Sequence, residues 1–562
     1  MLLFAPAFAY DPVDAAVGVH VSEQGLDTLG QAIADVMPVA FPVGTLTGEL
    51  VCDDADPTQV LAWSLDAMTL NLDIQDVALV PVDGRIDLTM YGALSSSAST
   101  LAASGDCSPL ADLAETCSVE LGTVSLEVGI PLAIAWNGTA FDVTVGEAAL
   151  TLAPITNPLD GCVLADAIGT LLGEDPTVIT NLLVGAIEPS LADLGATIEP
   201  AVEDALAALV IDTTLDLGEG QVTLGLAPTG FAIDAEGLFI GLGGTIGTTV
   251  VSECVSGGAP PSGVTAWPTL NGVAPDGALT YDAGAVINQV FVDQVLYAAY
   301  ETGVLCIDLA DLGGAPLDTA LFEPVFGDPW AELFPAAVPL KLAVRPQAAP
   351  TATFAPDGPP LRVNVDGLNL SAFAELDGRE TRVFGVTMEG SIGVDLPLAD
   401  GVLTPAIVID DALGFREDDH ELLPEGYSDG LAAFVPTILG GVLPDLPTVA
   451  IPSWRGIGLQ WIWWIPQDGW MGAWATLDVD DVEPIELSGC AGGSVGCDDG
   501  GIDVGEIDIG AELGCDEAGC GGDSSGCSSG CDGGTSCTTL PVSARLLPFL
   551  VGVLVPVLRR RR

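Results

Sequence analysis

The sequence predicts an α+β protein of two tandem units, each a curled antiparallel sheet around a long helix. Three observations carry that prediction. Val19–Met37 and Tyr281–Gly303 are two amphipathic stretches with helical period, one opening roughly each half of the 562-residue chain. Each is followed by a long run of segments in which apolar and polar residues alternate. A glycine- and proline-rich stretch, Val255–Gly263, separates the two runs and reads as a linker.

In the first stretch, Val19-His20-Val21 reads as a short strand. Ser22 stands where a helix N-cap should be, because its hydroxyl can accept from an N–H of the first turn. Leu26, Leu29, Ile33, Val36 and Met37 follow at helical spacing, and Pro38 ends the run. Strands are then predicted from Met68 to Ile74 and, across an Asp83-Gly84 turn, over Arg85–Tyr91. Val119–Val128 alternates with one slip of phase at Gly122-Thr123. Asn137-Gly138 is a two-residue hairpin signal between Leu132–Trp136 and Ala140–Val145. Leu159–Leu209 changes to helical period, broken by Pro176, Pro189 and Pro200. Strands return at Thr213–Leu217 and Gln221–Leu226, with Pro228-Thr229-Gly230 as a turn, then Phe231–Ile233 and Leu238–Ile240.

In the second half, Tyr281–Gly303 is predicted as one helix, with Asp282 as N-cap and Gly303 at the C′ position. Strands follow at Val338–Val344, Leu361–Val365, Leu368–Ala374, Arg382–Ile392 and Val402–Ile409. Gly430–Val442 is a short helix. The body ends in Gly456–Trp464, a Pro466–Gly469 turn and Met471–Val479. Trp461, Trp463, Trp464, Trp470 and Trp474 form the densest aromatic group, read as core packing at the end of the second sheet rather than interfacial insertion.

Apolar residues make up 49 % of the chain, so a sizeable core is expected. The formal net charge is −66, from 79 acidic and 13 basic residues. Five of the basic residues are Arg545 and Arg559–Arg562, and before Lys341 there is only Arg85. Such a surface repels phosphate backbones and anionic lipid, which excludes nucleic acid as a partner class. The acid excess reads as solubility in a salty medium.

The two ends point to export. Met1–Ala9 resembles the end of a secretory signal peptide, with Ala7-Phe8-Ala9 as the cleavage signal and Tyr10 as the first mature residue. Gly489–Cys537 is a Gly, Ser, Asp and Cys spacer that cannot bury a core. Leu546–Leu558 is apolar but short of the ~20 residues a spanning helix needs, and it runs into the four terminal arginines. This layout resembles the C-terminal sorting signals of myxobacteria. That resemblance implies attachment to the outer membrane or cell surface through a tail cysteine: Cys527, Cys531 or Cys537. An ordinary C-terminal anchor with a positive flank is the competing reading. The six body cysteines, an even number in an exported chain, read as disulfides rather than metal thiolates.

No pattern asks for a cofactor, a metal or a catalytic site. The two histidines, His20 and His420, read as structural or solvated. Gly492–Gly496 and Gly522–Gly526 match G-x-S-x-G but lie in the glycine-rich tail, not between a strand and a helix. Gly241–Gly247 has the wrong spacing for a dinucleotide loop. Acidic clusters at Asp53–Asp56, Asp410-Asp411, Asp418-Asp419 and Asp478–Asp481 lack EF-hand spacing and read as solvated faces.

A family resemblance rests on order as well as short matches. Val19–Asp27 runs a strand into a helix through Gln24-Gly25-Leu26-Asp27. A helical block follows the first sheet, and a proline-bearing linker sits mid-chain. The next helix ends Tyr300-Glu301-Thr302-Gly303-Val304-Leu305, and the body closes with a short helix, Leu443-Pro444-Asp445-Leu446-Pro447, a Gly-rich strand and a final turn-strand. In this the chain resembles the tubular lipid-binding family typified by bactericidal/permeability-increasing protein, lipopolysaccharide-binding protein and cholesteryl ester transfer protein, over about Tyr10–Glu486. The resemblance implies two highly twisted antiparallel barrels, 10–254 and 269–488, joined by a 255–268 linker into an elongated boomerang. It implies lipid or another apolar molecule in pockets between helix and sheet, and no catalysis. The expected lining is Leu26, Leu29 and Ile33 in the first helix and Val286, Val290 and Leu296 in the second. It pairs Cys117 with Cys162, which leaves Cys52–Cys107 and Cys254–Cys306. The family's antibacterial members carry a basic tip, and this chain has none, so a neutral or zwitterionic lipid fits better than lipopolysaccharide. The rival reading is a structural or adhesive surface protein whose barrels are filled by their own side chains.

Overall fold

Val13–Ser22 forms a strand because its small and β-branched residues suit a sheet buried on both faces. In the computed structural model it lies near the middle of an eight-stranded sheet. The structure describes residues 8–36, 40–51, 60–107, 110–119, 123–153, 199–200, 202–203, 206–207, 209–217, 219–312, 315–399, 402–404, 406–409, 413–419, 422–423, 426–427, 449–450, 458–478 and 502–503. Outside them fall Met1–Ala7, most of the 159–209 block, His420, the helix predicted at 430–442 and, apart from 502–503, the cysteine-rich tail with its apolar end.

The central sheet draws on both halves of the chain. Its order is Ile211–Leu217, Gly220–Asp234, Gly237–Thr248, Val13–Ser22, Ala283–Asn288, Trp470–Asp478 and Gly458–Gln467, with Phe8–Ala9 beside Gly237–Thr248. The two central strands pair antiparallel with Val19 opposite Ala285, each three residues ahead of its helix cap, Ser22 or Asn288. A hairpin flanks each strand: Asp234 faces Gly237 on one side, Gln467 faces Trp470 on the other. The first N–H of each helix donates into the adjoining turn, Glu23 to Glu236 O at 3.0 Å and Gln289 to Gly469 O at 2.8 Å. The strand–helix unit is therefore present twice, related by a local twofold at the seam.

The first helix, Glu23–Val36, starts as expected: Ser22 Oγ accepts from Gly25 N at 3.0 Å. The second differs from expectation. Ala283–Asn288 is a strand, and the helix spans only Gln289–Glu301, capped by Asn288, whose side chain accepts from Val290 N. The pairing edges of two neighbouring strands capture residues whose pattern suits either element. Asp282 caps no helix; its Oδ2 accepts from Leu477 N at 2.9 Å. Gly303 has φ 73°, the left-handed geometry expected just past the helix end.

The first helix packs on Val60–Val82, a 23-residue strand in a nine-stranded sheet with Ala40–Val51, Arg85–Ser96, Val124–Trp136 and shorter partners. The phase slip at Gly122-Thr123 falls at the break between Leu110–Val119 and Val124–Trp136. The Asn137-Gly138 signal opens a four-residue loop, not a two-residue one, because Trp136 pairs with Phe141. Asn137 Oδ1 holds the loop by accepting from Thr139 N and Ala140 N, both at 3.0 Å. Pro228–Gly230 is a bulge inside Gly220–Asp234 rather than a turn; the hairpin turn is Ala235-Glu236.

In the second half, Leu340–Pro346, Leu368–Leu376, Arg379–Glu389 and Gly414–Asp419 form a five-stranded sheet with Ile307–Leu309. Thr351–Phe354, Leu361–Asn364, Ser391–Asp395 and Ala406–Ile409 form a four-stranded one. The second helix packs on the central sheet and on Thr351–Phe354. The short helices Thr319–Phe322, Glu323–Phe326 and Asp328–Leu333 cover the five-stranded sheet instead. The architecture is thus α+β and antiparallel, with few helices.

Candidate functional site

The candidate site is the apolar contact between each long helix and the sheet beside it. In the first, two glycines set the approach. A Cβ on Gly25 would lie 2.1 Å from Asp282 O, and one on Gly30 would lie 2.3 Å from Val77 O. With the backbones this close, Leu26 is buried and Leu29 half-buried against the core that includes Leu70, Val77 and Leu88. Ile33 lies on the same helix; its side chain is outside the described residues.

The second contact departs from expectation in one residue. Val290 and Leu296 are on the helix and join the same core as Leu26 and Leu29, Val290 half-buried and Leu296 buried. Val286 is in the strand, on the opposite face of the central sheet, within a cluster of Tyr281, Trp470 and Trp474. Trp267 of the inter-half segment lies over this cluster, 5.4 Å from the Trp470 ring. That segment is held along its length. Gln294 Nε2 donates to Pro261 O at 2.9 Å, Asn288 to Thr265, and the Tyr300 hydroxyl to Ser256 O.

Sequence reasoning missed a second apolar surface. On the four-stranded sheet, Ala352, Phe354, Leu361, Val363, Ile392 and Val394 share one face by register. The other face carries Thr351, Thr353, Arg362 and Asn364. Ala352 is buried against the second helix, where Gln289 donates to its carbonyl and Asp293 accepts from its N–H. Phe354, Leu361, Val363 and Ile392 are only half-buried. The alternating pattern in Leu361–Asn364 and Ser391–Asp395 was the available signal, but four-residue strands give it little length.

Two buried polar groupings border these surfaces. His20, 2 % exposed, shares a hydrogen bond between Nδ1 and the Tyr281 hydroxyl, 2.9 Å apart. That hydroxyl also accepts from Gly272 N at 3.2 Å. Burial pushes His20 down to about 4, against a smaller opposite pull from Asp234, and pushes Tyr281 up to about 12. At the far end of the second helix, Glu301 accepts from Tyr10 at 2.7 Å and from Thr248 at 3.0 Å. Burial raises Tyr10 well above the ordinary phenol range, with Glu301 adding to the rise.

His20 faces a phenol that burial keeps protonated. Gly241–Gly247 lies within the strand Gly237–Thr248, where missing side chains make room for rings. A Cβ on Gly241 would meet Trp267 at 2.6 Å, and one on Gly244 would meet Phe291 at 2.3 Å. Asp418 is committed to Arg416, at 3.0 Å, and to Asn369 and Thr387. Among the described residues no group of acidic, Cys or His side chains is placed to hold a metal. Among them one disulfide forms, Cys254–Cys306, with Cα atoms 6.4 Å apart. Cys52 and Cys162, the side chains of Cys107 and Cys117, and Cys527, Cys531 and Cys537 lie outside the described residues.

No family model matches the chain, and no curated protein sequence matches it. Solved structures do. The crystal structure of lipopolysaccharide binding protein superposes with a TM-score of 0.51 at 15 % identity, over 83 % of this chain and 99 % of that one. P47 of Clostridium botulinum E1 aligns over 83 % of this chain and all of that one, at 9 % identity and a TM-score of 0.26, too distant to bear on the fold. The first likeness, at low identity, shows a shared fold.

Proposed function

We propose that this chain is an exported, non-catalytic lipid-binding protein that buries acyl chains between its long helices and the sheets beside them. The observation that carries the reading is the half-buried apolar face of Phe354, Leu361, Val363 and Ile392, on the sheet whose edge strand packs on the second helix, in a fold shared with a lipopolysaccharide binding protein. Removing such a face from water is favourable by ~25 cal/mol per Å², and an acyl chain can cover it without any directional contact.

The ligand is a neutral or zwitterionic lipid. The basic side chains that would meet lipid phosphates are few and already engaged: Arg85 pairs with Asp87 at 2.8 Å, and Lys341 and Arg345 share Asp308. In this reading 10–254 and 269–488 are two lipid-binding units joined by 255–268. The spacer and apolar terminus then act as a sorting signal or anchor that holds the protein at the cell surface or outer membrane through Cys527, Cys531 or Cys537.

The aromatic filling of the five-stranded sheet favours a second reading, a structural surface protein with self-filled sheets. Native mass spectrometry followed by organic extraction, on the full chain from a secreting host, separates the two. Lipid retained at one or two per chain supports the carrier. A bare mass on a cooperatively folded protein contradicts it and leaves the structural protein.

A further inference from the structure

One pairing joins the tail to the body. Ile502–Asp503, in the cysteine-rich stretch, lies beside Ala40–Val51 at the end of the nine-stranded sheet. The two strands run parallel, Leu46 facing Ile502 and Thr47 facing Asp503. On its other side Ala40–Val51 pairs antiparallel with Val60–Val82. A short turn cannot make a parallel pair, so the added strand arrives from elsewhere in the chain. Among the described residues, Ala40–Val51 would otherwise be the last strand on that side.

The first part of this edge is irregular. Its register with Val60–Val82 shifts between Pro42 and Gly44 and again between Gly44 and Leu46, and proline and bulges discourage further pairing. From Leu46 to Val51 the register is unbroken, with no proline and no basic residue. The contact with Ile502 starts at the first residue of this regular part. The alternation on the two sides agrees. Ile502 falls in the row of Leu46, Leu65 and Leu101, and Leu101 is buried in the core. Asp503 falls in the row of Thr47, Ser64 and Ala102, on the face where Ala62 and Ser104 are exposed. A slip of one residue toward Val51 would move Ile502 into that second row, and a slip of two would set Asp503 opposite Glu49.

We propose that Leu46–Val51 is a docking edge for the chain's own tail, which adds to it in parallel from Ile502 onward. Main-chain hydrogen bonds hold a strand added in this way, and alternate side chains select it. Ile502-Asp503-Val504-Gly505 meets that selection. Carried on, the register sets Val504 in the row of Gly48, Trp63 and buried Ala103, and it sets Gly505, not an acid, opposite Glu49. Residues 479–501 link Asp478 of the central sheet to Ile502 and reach up to about 80 Å when extended. The tail then leaves the body from the first-half sheet, and the edge is closed to strands of other chains. The inference is independent of what fills the apolar contacts.

The test is hydrogen exchange of the full-length protein, wild type against the double variant Ile502→Pro with Asp503→Pro. Proline has no N–H to give to a ladder. Exchange over Leu46–Val51 should quicken by about tenfold in the variant, as expected for a lost hydrogen bond or two, while Val124–Trp136 exchanges as before. Equal exchange over Leu46–Val51 in the two proteins overturns the docking. A photoreactive p-benzoylphenylalanine in place of Asp503 then identifies the occupant. Adducts to residues 45–49 at the monomer mass are expected, whereas adducts at twice that mass would give the edge to a second copy and overturn the assignment to the chain's own tail.

Discussion

His20 concentrates the residue-scale argument, because burial disfavours the charged form of an imidazole whose side-chain partner is a neutral phenol. Its folded pKa, about 4, lies below the ordinary 6.5. The contribution is therefore fully present above the ordinary value and is lost as pH falls from there toward 4, by at most about 3 kcal/mol. Denaturant midpoints of the wild type and His20→Gln measured across that window should converge on acidification; a constant difference would show that His20 does not titrate with unfolding. Asp293 works the other way. Burial raises its pKa, outweighing the opposing Ala352 N–H, so its charge is a penalty that eases as pH falls through the raised value. Asn keeps the acceptor without the charge. Asp293→Asn should hold or raise the melting temperature at neutral pH, whereas Asp293→Leu, which orphans the Ala352 N–H, should lower it. Gly30 is a third site. Gly30→Val drives a side chain into the Val77 carbonyl and should cost about 1–3 kcal/mol by denaturant unfolding despite the better helix former. Ser22 and Gly303 could be read from sequence because caps act locally. Asp282 could not be told from Asn288, since the strand between them is fixed by partners more than a hundred residues away.

The inter-half segment is the element that gained most from the structure. Its glycines and prolines read as a free tether, yet it lies over the central sheet with Trp267 on Phe239 and Trp470. Composition reports what a backbone is free to do; one tryptophan and a few carbonyls decide where it rests. Cys254–Cys306 closes this segment over a sequence separation of 52. On chain entropy alone, removing it costs about 4 kcal/mol. Cys254→Ser with Cys306→Ser should therefore lower the denaturant midpoint while leaving far-UV circular dichroism intact, and an unchanged midpoint would show that the packed rings alone hold the segment. The short helices Thr319–Leu333 went unread for a different reason. They carry no helical period of useful length, and Pro324 and Pro329 each lie within the first two positions of a helix, where proline starts a helix rather than ending one.

At the scale of the molecule, two strand–helix units meet at one seam and share a central sheet, so neither half completes its core alone. The repeated amphipathic stretch and the alternating runs behind it pointed to two helix-and-sheet units; the shared sheet did not follow from them, because the strand Ala283–Asn288 at the seam carries a helical pattern. Which apolar residues stay half-covered did not follow either, because an alternating pattern is the same whether the covering partner is protein or ligand. Among the described residues no helix is long and apolar enough to cross a membrane, and the proposed membrane link rests on the tail. The central claim is that acyl chains lie between helix and sheet. A monoacylglycerol whose acyl chain carries a photoreactive diazirine at its far end tests it directly: irradiate the full-length complex, digest it and map the labelled residues. Label on Phe354, Leu361, Val363 or Ile392, or on the Leu26–Leu29 turn of the first helix, is the expected result. Label confined to outward-facing positions such as Val264, which is 98 % exposed, or Val80 would contradict it.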